Sequence, residues 1–146
     1  MTQKNRSQLV TIVASAGHED WRKQYRAANG NTPRIKKTTD AAFLARNVSE
    51  VDIASLSYEE LPSDWQAENK AGGEVAVDEV LKAVQAGKPL DADFIEAASA
   101  VQHDKWLERN GSYAPPALKK PYDELTEDEK EKDRFFVREA IAAYQA

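Results

Sequence analysis

Two stretches of the sequence, LVTIVASAGHEDW (residues 9–21) and FIEAASAVQHDKW (residues 94–106), determine the fold that we predict. Both end in the pattern His-acid-x-Trp, and apolar residues occupy the same positions upstream of it. Each is followed by a polar segment that contains glycine and proline and ends on a pair of lysines, at 36–37 and 119–120. Self-similarity of this kind is the signature of a repeated structural unit. The chain is therefore predicted to contain two copies of one unit.

Further landmarks recur in the same order after the lysine pairs. Tyr-Glu-Glu-Leu at residues 58–61 corresponds to Tyr-Asp-Glu-Leu at residues 122–125. Asn69-Lys70 corresponds in the same way to Asp133-Arg134. Several matched landmarks in one order favour duplication over coincidence.

These landmarks also set the predicted boundaries. The first, degenerate copy covers residues 1–87 and carries an insertion at about residues 38–57, whereas the second copy covers residues 88–146. Each copy alone is a thin pair of helices with little apolar surface to bury. We therefore expect the two copies to form one compact domain together.

Local signals predict two helices in the second copy. Asp91 is a good N-cap for a helix that runs to about Arg109. Thr126 and Glu129 have the spacing of a capping box for a last helix that continues to near Tyr144. The loop between the two helices contains turn residues and has room for a short strand.

The first copy shows similar signals. Ser7 is the predicted N-cap of a helix through Tyr25, although the β-branched run at residues 10–13 also fits a strand. Ser63 and Gln66 form a capping-box pattern for a second long helix.

Two features of the first copy complete the predicted fold. Gly72-Gly73 lies inside the second long helix, where it predicts a kink or close packing against a neighbouring helix. The insertion is predicted to hold a short helix at residues 40–46 and an extended piece at residues 51–53. The predicted fold class is mainly α (α+β with short strands), a pseudo-two-fold tandem repeat of helix–basic loop–helix units.

Composition excludes several classes of protein. The chain has no cysteine and only two histidines, which excludes disulfides, thiolate metal sites and all-histidine metal sites. No apolar run approaches the roughly 20 residues that a membrane span requires. The polar N-terminus is not followed by a signal-type apolar segment. We expect a soluble, cytoplasmic protein with no membrane partner.

Charge is distributed unevenly. Residues 22–37 include six bases and no acid, whereas residues 123–134 include seven acids and three bases. With a net charge of −5, the whole chain is a poor candidate for binding duplex nucleic acid. A local basic loop is nevertheless sufficient for a small anion.

The landmarks of the second copy form one ordered pattern: His103-x-x-Trp106-x-x-Arg109-x-Gly111-x-Tyr113, then Lys120-Pro121-Tyr122-x-x-Leu125, then Glu129-Lys130-x-x-Asp133-Arg134. This pattern resembles the repeat domain named after ryanodine receptors, the RyR domain. It departs from the family at residues 111–114, Gly-Ser-Tyr-Ala, where family loops often carry Gly-Trp-x-Tyr-Gly. The first copy is a more divergent relative, with Trp65 in the place of Glu129 and Asn69 in the place of Asp133.

The resemblance implies a tandem pair of repeats. In the large eukaryotic channels such pairs form peripheral α+β domains. Short free-standing relatives in bacteria and their viruses are suspected of sensing nucleotide-derived ligands.

The His-x-x-Trp pairs are the first candidate binding groups, because residues three apart on a helix are neighbours. In a functional interpretation, Trp21 and Trp106 stack on a planar ligand ring while His18 and His103 donate to a phosphate or ribose. In the packing interpretation, which we favour, each histidine bonds a backbone carbonyl and each tryptophan anchors the core.

The basic loops supply the remaining candidates. Arginine and lysine beside helix ends and glycine-containing turns can hold a phosphate through charge-assisted hydrogen bonds. The alternative is a solvated loop that balances the acidic helix. The candidate contacts beyond the His-x-x-Trp pairs are Arg22, Lys37, Arg109, Tyr113 and Lys120.

Arg134 is treated separately from these candidates. In the acidic segment that contains it, we expect a solvated helix, and we expect Asp133 and Arg134 to form a structural ion pair with other elements.

Enzyme signatures are missing from the sequence. It contains no phosphate-binding loop, no nucleophile elbow and no zinc-binding His-Glu-x-x-His helix. The neighbours His18-Glu19 and His103-Asp104 point apart on a helix, so neither is a ready acid–base pair. We expect no enzymatic activity, no metal and no cofactor.

Two functions remain. The leading hypothesis is a ligand-binding module for a small anionic, nucleotide-derived molecule, acting as a sensor or a sequestering protein. The alternative is a protein–protein interaction module without a small ligand, in which exposed aromatic residues such as Trp65 anchor a partner. A concave pocket near the basic loops favours the first, and a flat apolar patch around Trp65 favours the second.

Overall fold

Five α-helices and one two-stranded antiparallel sheet make up the computed structural model of the protein, which describes residues 3–146. Three single-turn 3₁₀ helices lie between the longer elements, at Tyr58–Glu60, Pro116–Leu118 and Tyr122–Glu124. The mainly helical class with short strands is confirmed. The elements are α1 (Arg6–Asn29), β1 (Ile35–Lys37), α2 (Ala41–Leu44), β2 (Glu50–Asp52), α3 (Ser63–Gln85), α4 (Ala92–Asn110) and α5 (Glu127–Gln145).

The start of α1 differs from the prediction. The N-cap is Asn5, not Ser7, because Asn5 and Gln8 form a reciprocal capping box in which each side chain accepts from the other's backbone N–H. The β-branched run that follows is helical, because burial at Leu9, Val10 and Val13 follows the helical period. The strand alternative for this segment is therefore wrong.

The other helix starts agree only in part with the sequence signals. Asp91 and Thr126 cap α4 and α5 as predicted, but the Glu129 side chain does not return a hydrogen bond to Thr126, so only half of the predicted capping box forms. Pro62 precedes α3 and offers no side-chain cap, and Ser63 instead donates its hydroxyl to Asp40, 2.6 Å away. The predicted Ser63 capping box is therefore wrong, because a tertiary partner outside the helix takes the hydroxyl.

The insertion and the three residues before its predicted start form a hairpin around α2, because β1 lies at Ile35–Lys37. Its strands pair in antiparallel register, with Lys36 opposite Val51. Asp40 caps α2 through one carboxylate oxygen and receives Ser63 on the other, so the hairpin is tied to the start of α3. The predicted short helix and extended piece are both confirmed. The loop after α4, by contrast, forms 3₁₀ turns and no strand.

The four long helices share one apolar core. The side chains of Val13, Val77, Val80 and Val137 are fully buried in it. Helix α1 packs on α3 and α5, and α4 packs on α3 and α5. None of the helices in residues 3–146 combines the length and the apolar character needed to cross a membrane.

The Gly72-Gly73 pair lies where α3 meets its neighbours. A Cβ atom on Gly73 would lie 3.1 Å from the backbone oxygen of Val10 in α1. A Cβ atom on Gly72 would lie 3.1 Å from the Phe136 ring and 3.2 Å from the Gln102 amide nitrogen. Because α3 continues through both glycines, their close packing against α1, α4 and α5 is confirmed.

Candidate functional site

A cavity of about 310 Å³ lies between α3, α4 and α5, where the segment before α5 closes one side. This volume is at the lower end of the range for small-molecule sites in proteins. Residues of α3, α4, α5 and the closing segment line the cavity, and they are Glu68, Asn69, Gly72, Gln102, His103, Trp106, Arg109, Leu118, Leu125, Glu129, Lys132, Asp133 and Phe136.

Helix α4 brings three of the sequence-predicted site residues to this cavity: His103, Trp106 and Arg109. Their spacing of three residues keeps them on one face of the helix. The His103 and Trp106 rings are stacked, with centroids 6.1 Å apart and planes 12° apart. Trp106 is only partly buried, so its ring forms part of the cavity wall.

His103 connects α4 to the loop before α5. Its Nε2 lies 2.7 Å from the backbone oxygen of Lys120. Because a carbonyl oxygen only accepts hydrogen bonds, Nε2 must carry the hydrogen. The bond is the one that the packing interpretation predicts, and it leaves Nδ1 facing Asp133, 3.8 Å from Oδ2.

Asp133 is the most perturbed carboxyl group at the cavity. Burial, together with the nearby Glu129 carboxylate, raises its pKa to about 7, whereas Lys132 acts in the opposite direction. Such a group is partly protonated at neutral pH. A strongly perturbed carboxyl group in a cavity is a frequent mark of a functional site.

Gln102 is a buried polar residue on the same wall, 3% exposed. Its Nε2 donates to the backbone oxygen of Gly72 at 3.1 Å. This contact fixes the orientation of the amide, and Oε1 is left buried with no hydrogen-bond partner among the described residues. Buried polar atoms without a partner are rare in native structures. Gln102 is therefore a buried polar side chain of the cavity wall whose acceptor oxygen is unused by the described residues.

The cations at the cavity are already paired. Arg109 donates to Glu68 at 2.9 Å, so it joins α4 to α3. Lys132 lies 3.4 Å from Glu129, one turn away on α5. The cavity therefore does not present a concentrated positive charge.

His18 and Trp21 of the first predicted copy pack against the hairpin and the segment that follows it. His18 and Trp21 are stacked at 5.7 Å, and His18 Nε2 bonds the Leu56 backbone oxygen at 2.8 Å. Trp21 packs with Trp65 on an apolar cluster built around Val51, Ile53 and Leu61. Burial lowers the pKa of His18. Side chains of the hairpin thus occupy the space beside this His-Trp pair.

The remaining predicted contacts of the first copy also lie away from the cavity. Arg22 binds Glu19 at 2.7 Å and the backbone oxygen of Ala54 at 3.0 Å. Lys37 is exposed on β1, where its backbone oxygen accepts from Trp65 Nε1 at 2.8 Å.

Two predicted contacts of the second copy do not line the cavity. Tyr113 is 74% exposed on the loop after α4. Lys120 is exposed, but its backbone oxygen is the partner of His103. This hydrogen bond therefore fixes the backbone of Lys120 beside the cavity, and the lysine side chain extends from there.

Sequence reasoning missed Gln102 as a candidate and assigned Asp133 a purely structural role. A weak signal for Gln102 was available, since residues 102, 106 and 109 have the spacing of one helix face. Nothing local identified Asp133, because its raised pKa depends on burial between helices.

Arg134 forms the predicted ion pair with another element, whereas Asp133 pairs with no lysine or arginine among the described residues. Its guanidinium makes a bidentate contact with Glu96 of α4, at 2.7 and 2.8 Å, and Nε also donates to the Tyr122 hydroxyl at 3.0 Å. Glu127 at the start of α5 is a further partner. The pKa of Glu96 is lowered mainly by the hydrogen bonds from Arg134. The group joins α4, α5 and the turn between them.

Replacing Arg134 with methionine should therefore destabilise the protein. We expect a loss of about 1–2 kcal/mol in the free energy of unfolding, because Arg134 is largely buried whereas Glu96 is partly exposed. Urea denaturation at neutral pH measures this loss. Arg138→Met is the matched control, since Arg138 and its partner Glu131 are both about half exposed, and it should change stability by less than about 0.5 kcal/mol. Equal losses for the two variants would contradict the structural role of Arg134.

Within residues 3–146, no group of three or more His, Cys, Asp or Glu side chains is arranged to hold a metal ion. Comparison of the chain with protein-family models, with curated proteins and with solved structures finds no match.

Proposed function

We propose that this protein is a non-enzymatic small-molecule-binding module of RyR type, and that the cavity between α3, α4 and α5 is its binding site. The ligand is a nucleotide-derived molecule with a planar base and an anionic part, and the protein acts as a sensor or a sequestering protein. The observation that carries the proposal is the cavity itself, with Trp106 in its wall and, on the same wall, a Gln102 amide oxygen that has no hydrogen-bond partner among the described residues.

The size and the wall of the cavity suit a single planar ring system. A volume of about 310 Å³ accommodates one base but not a whole dinucleotide. The partly exposed face of Trp106 offers a stacking surface, and stacking of a base on an aromatic side chain contributes about 1–3 kcal/mol. Leu118, Leu125 and Phe136 supply apolar contacts.

The anionic part of the ligand belongs outside the cavity. Arg109 and Lys132 are already paired with acids, so they offer little net charge to a phosphate. Lys119 and Lys120 are exposed on the loop that His103 holds against α4. A phosphate attached to a bound base would meet these lysines at the edge of the site.

The proposal includes the tandem repeat, with copies at residues 1–87 and 88–146. It is supported by the two matching stacked His-Trp pairs, each with its histidine bonded to a backbone oxygen before the next long helix. In the first copy, Trp65 and the hairpin fill the space beside the pair. The second copy binds the ligand, and the first serves as scaffold.

A thermal-shift screen tests this proposal. The panel contains adenine and guanine nucleotides, ADP-ribose and its cyclic form, cyclic dinucleotides and a phosphate control. A nucleotide at 100 times its dissociation constant should stabilise the fold by about 2.7 kcal/mol. A flat response across the panel contradicts the proposal and favours the interaction-module alternative.

A variant pair then locates the site. Trp106→Leu should weaken binding of the best nucleotide about 5- to 150-fold, because a stacking contact of about 1–3 kcal/mol is lost. Tyr113→Ala is the aromatic control, since Tyr113 is exposed and does not line the cavity. Titration calorimetry measures both variants after circular dichroism confirms that they fold. Stronger weakening by Tyr113→Ala than by Trp106→Leu would place the ligand elsewhere.

A further inference from the structure

Gln102 and His103 are the two most buried polar residues at the cavity. Each has used a hydrogen-bond donor on a backbone oxygen, so what remains unused is an acceptor. The Gln102 amide nitrogen donates to the Gly72 backbone oxygen, which leaves Oε1 without a partner in the part of the chain that the structure describes. The His103 Nε2 hydrogen is used by the Lys120 backbone oxygen, which leaves Nδ1 of the neutral ring as an acceptor. Both residues are 3% exposed.

The carboxylate of Asp133 adds two more acceptor oxygens on the opposite helix. Its contact with His103 Nδ1, at 3.8 Å, is too long for a hydrogen bond, and no donor among the described residues bonds to it. Lys132 is turned to Glu129 instead. Burial without a donor agrees with the pKa of about 7, since hydrogen bonds to the ionised form would lower it.

We propose that the cavity selects a planar ring that carries two adjacent N–H donors on one edge, with Asp133 as the residue that receives them. This inference rests on the proposed function and names the class of base: a guanine-type ring with neighbouring ring N–H and amino groups, or an aryl amidine. Two parallel N–H···O bonds to a carboxylate fix the ring plane, and charge-assisted bonds of this kind are the strong ones. The face of the ring then stacks on Trp106.

Two pairs of small probes test the donor requirement. Guanosine and inosine differ only in the exocyclic 2-amino group, whereas benzamide replaces one N–H donor of benzamidine with an acceptor oxygen and also lacks its positive charge. At pH 8, where Asp133 is ionised, titration calorimetry should show guanosine and benzamidine each binding at least about tenfold more tightly than its partner, because one charge-assisted hydrogen bond is lost.

The variant Asp133→Asn assigns the preference to one residue. It should reduce the guanosine-to-inosine and benzamidine-to-benzamide ratios to within about threefold, because the asparagine side chain places an NH2 donor, in place of a second acceptor oxygen, opposite one of the two adjacent donors. Asp104→Asn is the matched control on the exposed side of α4 and should retain the full ratios.

The outcomes separate this inference from the proposed function. If the two members of each probe pair bind equally and Trp106→Leu still weakens their binding, the preference for two adjacent N–H donors is overturned. The cavity then remains the ligand site. If Asp133→Asn keeps the full guanosine-to-inosine and benzamidine-to-benzamide ratios, Asp133 is not the residue that receives the two donors. If neither the four probes nor any member of the nucleotide panel binds, both proposals are overturned. If only the four probes fail to bind, the donor preference is overturned and the proposed function is not.

Discussion

Replacing Asp133 with asparagine is expected to stabilise the unliganded protein at pH 8 by about 2–4 kcal/mol. Burial beside Glu129 raises the pKa of this carboxyl group from 3.8 to about 7. Because a tenfold change in proton affinity corresponds to about 1.36 kcal/mol, this rise in pKa gives about 4 kcal/mol as the upper limit. Water that reaches the cavity lowers the actual value. An uncharged amide avoids the cost of burying the ionised form.

The sign of this effect gives a pH dependence. Between about pH 4 and pH 7 the folded protein keeps a proton on Asp133 that the unfolded chain has released. The contribution of this group to stability therefore decreases as the pH rises through that window and is constant above it. The charged or titratable groups that face it are His103 of α4, Glu129 and Lys132 of α5, and the Arg109–Glu68 pair across the cavity.

Urea denaturation of wild type and Asp133→Asn from pH 5 to pH 8 measures the difference. The advantage of the variant should grow by about 2 kcal/mol across this range and level off above pH 8. Asp104→Asn, which changes an exposed carboxylate on α4, should show no such growth. A constant difference between wild type and Asp133→Asn at every pH would contradict a raised pKa for Asp133. Asp133 lines the cavity although its ionised form destabilises the free protein. This combination is expected where a residue contributes to binding at the expense of stability.

Replacing Gly73 with valine is expected to destabilise the protein by about 2–4 kcal/mol, because overpacking of a tight helix contact cannot be relieved by side-chain motion. A Cβ atom at this position would lie 3.1 Å from the backbone oxygen of Val10 and 3.4 Å from the backbone nitrogen of Ala14. Both atoms belong to the main chain of α1. Relief therefore requires α1 and α3 to move apart, which disturbs the core that buries Val13 and Val77.

Thermal and urea denaturation measure this loss. Ala67→Val on the exposed face of α3 is the control for the lower helix propensity of a β-branched residue, and it should cost less than about 1 kcal/mol. The difference between the two variants isolates the packing contribution. If Gly73→Val were no more destabilising than Ala67→Val, the close approach of α1 and α3 would be refuted.

Much of the helical framework could be predicted because its signals are local. Asp91 and Thr126 accept hydrogen bonds from backbone N–H groups only three residues away, so the spacing in the sequence is sufficient to identify them. The short helix and extended piece of the insertion were also predicted. The helix starts at Ser7 and Ser63 were predicted wrongly. A nearby alternative cap, Asn5, takes the role of Ser7, and a tertiary contact with Asp40 takes the hydroxyl of Ser63.

The candidate site could be predicted only in part. His-x-x-Trp identifies a pair that stacks on one helix face, and both pairs do so. The two pairs look equivalent in the sequence, yet only the one at His103 and Trp106 borders the cavity between α3, α4 and α5. The difference lies in residues far along the chain, because the hairpin and Trp65 fill the space beside His18 and Trp21.

The sequence by itself determined the long helices, the short helix and extended piece of the insertion, and the faces on which the histidines and tryptophans lie, because caps and helical periodicity act over a few residues. The pairing of β1 with β2 came only from the structure. Only the tertiary structure decided which of those side chains line a cavity and how they are charged. The pKa of Asp133 and the unpartnered oxygen of Gln102 both arise from burial between helices whose residues are some thirty positions apart or more. Burial is a property of the packed structure, since it depends on which distant segments exclude water from a given group.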